Sequence, residues 1–319
     1  MLVPKVAAGS ALGAALTLTL TLALAGCGSS SAPDGAGSAN SSTTSAAASK
    51  VINVVASTDV YANIARSIGG DRVKVTSFIS DPDQDPHSYE ASAQNQLAIS
   101  KSDLVIENGG GYDNFIDRML KASHAQATLV NVVDISGKKA AAGQELNEHV
   151  WYDFPTVTLL ADDLAKALTA MDRKDAAAFQ ANAKEFTEQV QGLVSVEDSL
   201  KASYAGGGVA ITEPVPLYLL EAVGLRNETP KAFSAAVEEG NDVSALVLKQ
   251  TLDLFSGGKV KALVYNEQTS GPITEQVKEA AEKAGIPVVP VTETLPEGKS
   301  YIAWMAGNLK NLTQALSAR

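Results

Sequence analysis

Between Pro155 and Tyr204 the chain holds one glycine, Gly192, and hardly a strand signal. VTLLADDLAKALTAM has the spacing of an amphipathic helix. MDRKD marks a break, and DAAAFQANAKEFTEQVQGLVSVEDSLKAS resumes as a longer helix. About 30 helical residues reach roughly 45 Å at 1.5 Å each. A helix that long can run the height of a two-lobed molecule as a stiff linker.

On both sides of this rod the pattern alternates. VINVVAS, VKVTSFI, DLVIEN and ATLVNVV are short apolar runs that read as buried strands, with helical segments between them. After the rod, GVAIT, KALVYN and PVVPVT read as strands. LYLLEAVGL, SALVLKQTLDLFSGG and PITEQVKEAAEKAG read as helices, and YIAWMAGNLKNLTQALSA closes the chain as another. Such β/α alternation predicts mainly parallel sheets with helices on both faces. The predicted fold is α/β: two (β/α) lobes joined by a long rigid α-helix. Their bounds are 50–172 for the first lobe, 173–204 for the linker helix and 205–319 for the second lobe. The 319 residues are enough for two such lobes.

The beginning of the chain is different. After Lys5, LGAALTLTLTLALAG is apolar and uncharged, as in the h-region of a secretory leader. It ends in Leu24-Ala25-Gly26-Cys27, which resembles the lipobox of bacterial lipoproteins, where cleavage precedes a lipidated cysteine. Residues 1–26 are therefore expected to be a lipoprotein signal peptide. Residues 27–49, rich in Gly, Ser, Ala and Thr, read as a flexible tether. Cys27 is the one cysteine of the chain, so no disulfide forms within the lobes. The net charge of −11 and the lack of a basic run exclude nucleic acid as a partner.

In open α/β sheets the ligand crevice lies beyond the strand C-termini. Four loops there carry candidate metal ligands. His87 follows VKVTSFI, and His149 follows ATLVNVV. Glu213 comes directly after GVAIT, and Glu293 directly after PVVPVT. Two come from each lobe, so all four can converge on the cleft between them. Two imidazoles and two carboxylates suit a divalent transition metal, and the carboxylates neutralise its charge. His124, at a helix end, reads as structural or solvated.

DPHSYEAS, DLVIENGGGYDNFIDRML, NEHVWYDF, ITEPVPLYLLEAVGL and VTETLPEGKSYIAWMAGNLKNL, in this order, resemble the zinc/manganese-binding solute-binding lipoproteins of bacterial ABC importers. The resemblance spans nearly all of residues 50–319. It implies one Zn²⁺ or Mn²⁺ held in the interlobe cleft by His87, His149, Glu213 and Glu293. The last stands where the family usually has aspartate. Glu90 or Asp153 is expected to hold a ring N–H, and Trp151, Tyr152 and Tyr89 to wall the site from water. The implied partners are an ABC permease and its ATPase. The implied location is the outer face of the cell membrane, where a monomer is anchored through lipidated Cys27. A glutamate at position 213 and the short stretch before His149 lean toward manganese. Zinc binds such sites more tightly and is the broader family default, so zinc is slightly preferred here. Two other readings are weighed. A metal-dependent hydrolase is disfavoured by the lack of HExxH and GxSxG motifs. An adhesin or structural lipoprotein remains a secondary role. The chain is not read as an enzyme.

Overall fold

The computed structural model describes residues 51–81, 89–140 and 145–318. The expected signal peptide (1–26), the expected tether (27–49) with Cys27, and His87 lie outside the described residues.

The first half is built from β1 (Ile52–Thr58), α1 (Asp59–Gly69), β2 (Val73–Ile79), α2 (Ala93–Ser100), β3 (Leu104–Glu107), α3 (Phe115–Ser123), β4 (Thr128–Asn131) and α4 (Val132–Ser136). Then come α5 (Phe154–Met171) and α6 (Ala176–Tyr204), separated by a 3₁₀ turn at Arg173–Asp175, in the segment read as a break. The second half contains β5 (Gly208–Ile211), α7 (Leu217–Ala222), β6 (Arg226–Asn227), α8 (Lys231–Glu238), α9 (Ala245–Ser256), β7 (Leu263–Asn266), α10 (Pro272–Lys283), β8 (Val288–Val291) and α11 (Tyr301–Ser317).

Each half forms a four-stranded sheet, and every pairing is parallel. The strand orders are β2-β1-β3-β4 and β6-β5-β7-β8, the same plan used twice. In each, the first strand has its successors on opposite sides. That reversal of winding opens a crevice at the strand C-termini, where Glu213 follows β5. β1, INVVAST, is mostly apolar because all of its residues but Asn53 are buried.

Three segments depart from the sequence reading, the two-residue strand β6 among them. ATLVNVV is not one strand. Asn131 ends β4, and its side chain accepts the N–H of Asp134 at 2.9 Å, which caps α4 and turns the chain into a helix. α8 was not anticipated at all.

The buried residues of α6 are Phe179, Ala183, Phe186, Val190, Leu193, Glu197 and Leu200. Steps of four and three alternate, so they form one seam along the rod. A single apolar cluster includes the apolar residues of this seam, Val54 and Ile64 from the first half, and Val209, Leu219, Trp304 and Leu312 from the second.

Candidate metal centre

His149 precedes a 3₁₀ turn, Val150–Tyr152, and its ring is fully buried. Asn147 sets its orientation. Asn147 Oδ1 accepts the backbone N–H of His149 at 3.2 Å and faces ring Nδ1 at 2.7 Å. The other end of that amide donates to the carbonyl of Pro214 at 3.1 Å, which fixes which end is oxygen. A carbonyl oxygen only accepts, so Nδ1 carries a hydrogen, and Nε2 is the nitrogen turned toward the carboxylates. That nitrogen lies 3.3 Å from Glu238 Oε1 and 3.7 Å from Glu293 Oε2.

Glu213 and Glu293 come from the ends of β5 and β8 and are buried. They are held by one amide. Asn266, the last residue of β7, donates from Nδ2 to Glu213 Oε2 at 2.5 Å and to Glu293 Oε1 at 2.9 Å. The Thr269 hydroxyl also donates to Glu213 Oε2. Gln268 Oε1 accepts the backbone N–H groups of Glu293 and Thr294, fixing the turn that presents Glu293. From the other half, Tyr112 donates its hydroxyl to Glu293 Oε2 at 3.2 Å. Tyr112 reaches there from the turn Gly109–Gly111, where all three glycines have positive φ. The Asp113 carboxylate pins that turn by accepting the N–H groups of Asn108 and Gly109, at 2.6 and 2.9 Å.

The electrostatics describe a pocket short of positive charge. Burial pushes the Glu213 carboxyl up to about 8, and the charges of Glu238 and Glu293 act in the same direction against the hydrogen bonds of Thr269 and Asn266. Burial alone would lower the His149 pKa. The carboxylates of Glu238 and Glu293 outweigh it and raise the ring above its ordinary value. The donor atoms of Glu148, His149 and Glu238 lie within 4.8 Å of one another. This donor set fits a divalent cation.

Of the residues expected from sequence, the structure brings His149, Glu213 and Glu293 into one network. Trp151 is buried beside it, its ring 5.1 Å from His149 and 5.0 Å from Tyr112. Tyr152 is also buried, and its hydroxyl donates to the Thr292 carbonyl next to Glu293, at 2.7 Å. At His149 the ring N–H is held by Asn147; whether Glu90 or Asp153 holds that of His87 falls outside the described residues. The Asp153 carboxylate caps α5 through the Thr156 N–H and pairs with Lys138 at 3.0 Å. Glu90 is exposed. The Tyr89 ring packs on Phe115 and its hydroxyl donates to Asn95. The sequence reading missed Asn147, Asn266, Tyr112 and Glu238. For Asn147, its place two residues before His149 was an available signal.

Two parallel α/β sheets of one plan, with polar side chains from both meeting at strand ends, define a protein that holds a small ligand between its halves. Over residues 54–315 the chain matches the family described as zinc-uptake complex component A, periplasmic, and it belongs to that family. The manganese-binding lipoprotein MntA of Bacillus subtilis (strain 168) is 30% identical over 246 residues, 75% of this chain and 78% of its own length. The manganese ABC transporter substrate-binding lipoprotein PsaA of Streptococcus mitis is 23% identical over 292 residues, 85% of this chain and 91% of its own. Among solved structures, a mutant of the laminin-binding adhesin Lmb from Streptococcus agalactiae superposes with a TM-score of 0.72 at 20% identity, over 83% of this chain and 100% of that one. The latter shares the fold.

Proposed function

We propose that this protein is the substrate-binding lipoprotein of a bacterial ABC importer and that its cargo is a Zn²⁺ or Mn²⁺ ion. The observation that carries this reading is the meeting of His149 Nε2 with Glu293 at 3.7 Å, while one amide binds Glu293 and Glu213 together. Ligands from both sheets thus share one small volume, in a chain of the zinc-uptake family. His87, His149, Glu213 and Glu293 are the proposed ligands, with Trp151 and Tyr152 excluding water. The named relatives MntA and PsaA are manganese proteins, and the second half supplies only oxygen donors. Both favour manganese within a site that zinc also occupies.

The cycle is capture, delivery and release. The ion fixes the turns that carry Glu213 and Glu293, and the permease recognises the ordered form. Its ATPase drives transfer. Residues 50–172 and 205–319 act as the two metal-binding lobes, with 173–204 as the linker. Cys27 carries the lipid, and 27–49 tether a monomer to the outer face of the membrane.

The test is thermal unfolding of the chelator-stripped protein with and without each ion. A ligand at about a thousand times its Kd adds roughly 4 kcal/mol, a rise on the order of 10 °C for a chain of this size. The rise is expected to vanish in His87→Ala and shrink in Glu293→Ala. No rise with either ion would end the metal reading.

A further inference from the structure

We propose that Glu238 is a further oxygen ligand of the captured ion and that it biases the site toward Mn²⁺ over Zn²⁺. This rests on the reading of the cleft as a metal centre. Glu238 belongs to none of the sequence motifs that single out the other ligands.

Three independent features point to it. The first is distance. Glu238 Oε1 and Glu293 Oε2 lie 3.3 and 3.7 Å from the same atom, His149 Nε2. Nitrogen and oxygen donors bound to one ion at about 2.1 Å each stand roughly 3.0–3.4 Å apart at angles of 90–109°. The observed separations are close to the edges of a coordination polyhedron. The second is direction. Asn147 keeps a hydrogen on Nδ1, so Nε2 is the ring nitrogen that meets both carboxylates. A metal ion bound there would take the place of the Nε2 proton that the two carboxylates favour, between the same three donors. The third is position. Glu238 is the last residue of α8, where the carbonyl groups of the helix end carry partial negative charge. A carboxylate there gains from a nearby cation more than it would elsewhere.

α8 is seated firmly enough to deliver this side chain. Phe233 on the same helix is fully buried in the core against the second sheet, and the Glu238 side chain is 12% exposed. A third carboxylate beside Glu213 and Glu293 makes the site richer in oxygen and raises the coordination number available. Mn²⁺ accepts oxygen donors and six positions. Zn²⁺ prefers four, with nitrogen among them.

The experiment is competition of the full chain against a chromogenic chelator for Mn²⁺ and Zn²⁺ separately. The variants are Glu238→Gln, Glu238→Ala, Glu148→Gln and His149→Ala, each checked for folding by circular dichroism of the metal-free protein. Loss of a ligand predicts about 10- to 100-fold weaker Mn²⁺ binding in both Glu238 variants, and less than about threefold for Zn²⁺. Glu148→Gln removes a charge from the same cluster and is expected to weaken both ions alike. The proposal is overturned if the Glu238 variants leave the Mn²⁺/Zn²⁺ ratio unchanged, or if Glu148→Gln shifts it equally. Failure of the metal reading itself looks different: wild type binds neither ion, or His149→Ala binds both as wild type does.

Discussion

Asn147 Oδ1 holds both the backbone N–H and the ring Nδ1 of His149, while the nitrogen of the same amide donates to the carbonyl of Pro214. Pro214 directly follows Glu213. One side chain therefore sets a tautomer in the first half and ties it to the turn that carries a carboxylate of the second. Asn147→Ala is expected to weaken metal binding about 10- to 100-fold without unfolding the protein. Asn147→Asp keeps an acceptor for Nδ1 but loses the donor to Pro214, and should recover part of that loss. Chelator competition on the two variants checks this order. Equal losses would mean that only the Pro214 tie matters.

Asn266 bridges Glu213 and Glu293, so the three side chains form one unit rather than two pairs. Asn266→Ala and Glu293→Ala should then be strongly non-additive in metal affinity, by more than about 0.5 kcal/mol in a double-mutant cycle. Additive losses would show that the amide acts on each carboxylate separately.

Glu197 occupies an apolar position in the buried seam of α6, and its carboxyl is pushed up to about 8 from 4.5, first by burial and then by the charges of Asp153 and Asp198. Between those two values the folded chain holds a proton that the unfolded chain has released. Stability from this group is therefore full below pH 4.5, falls as pH rises, and is lost above about 8. Glu197→Gln imitates the protonated form. Its Tm should equal that of wild type near the acid end and exceed it by a growing margin up to pH 8. A margin that does not change with pH would refute the shift.

Two glycines should respond in opposite directions to alanine. A Cβ at Gly208 would stand 2.2 Å from the carbonyl oxygen of Lys259, a backbone atom that cannot swing aside. Gly208→Ala should cost about 1–3 kcal/mol and disturb β5, which leads into Glu213. Gly192 lies exposed within α6 with nothing within 4 Å of a built Cβ. Gly192→Ala should stabilise by about 0.4–1 kcal/mol. Denaturant unfolding of both variants measures the two signs.

The parallel sheets were legible because strands buried on both faces are written as short apolar runs, as in INVVAST and GVAI. α4 was hidden because VV continues the apolar run of β4, and only the side chain of Asn131 stops it. α8 was hidden between Pro230 and Gly240 in a segment that is half polar. In the site, His149, Glu213 and Glu293 could be read from their places just beyond strand-like runs. Asn266 could not, since a neutral amide gives no local signal and its two partners lie 53 and 27 residues away. Glu238 has the same difficulty: only folding brings it to His149.

The final helix closes the first half as well as the second. The Tyr301 N–H donates to Asn63, its hydroxyl donates to the Trp151 carbonyl, and just before α11 the Leu295 N–H donates to Asp59. During synthesis, these contacts of the first sheet are therefore complete only after Tyr301 has been added. A chain cut before Leu295 loses all three contacts, and so leaves the first sheet unsealed as well as the second unfinished.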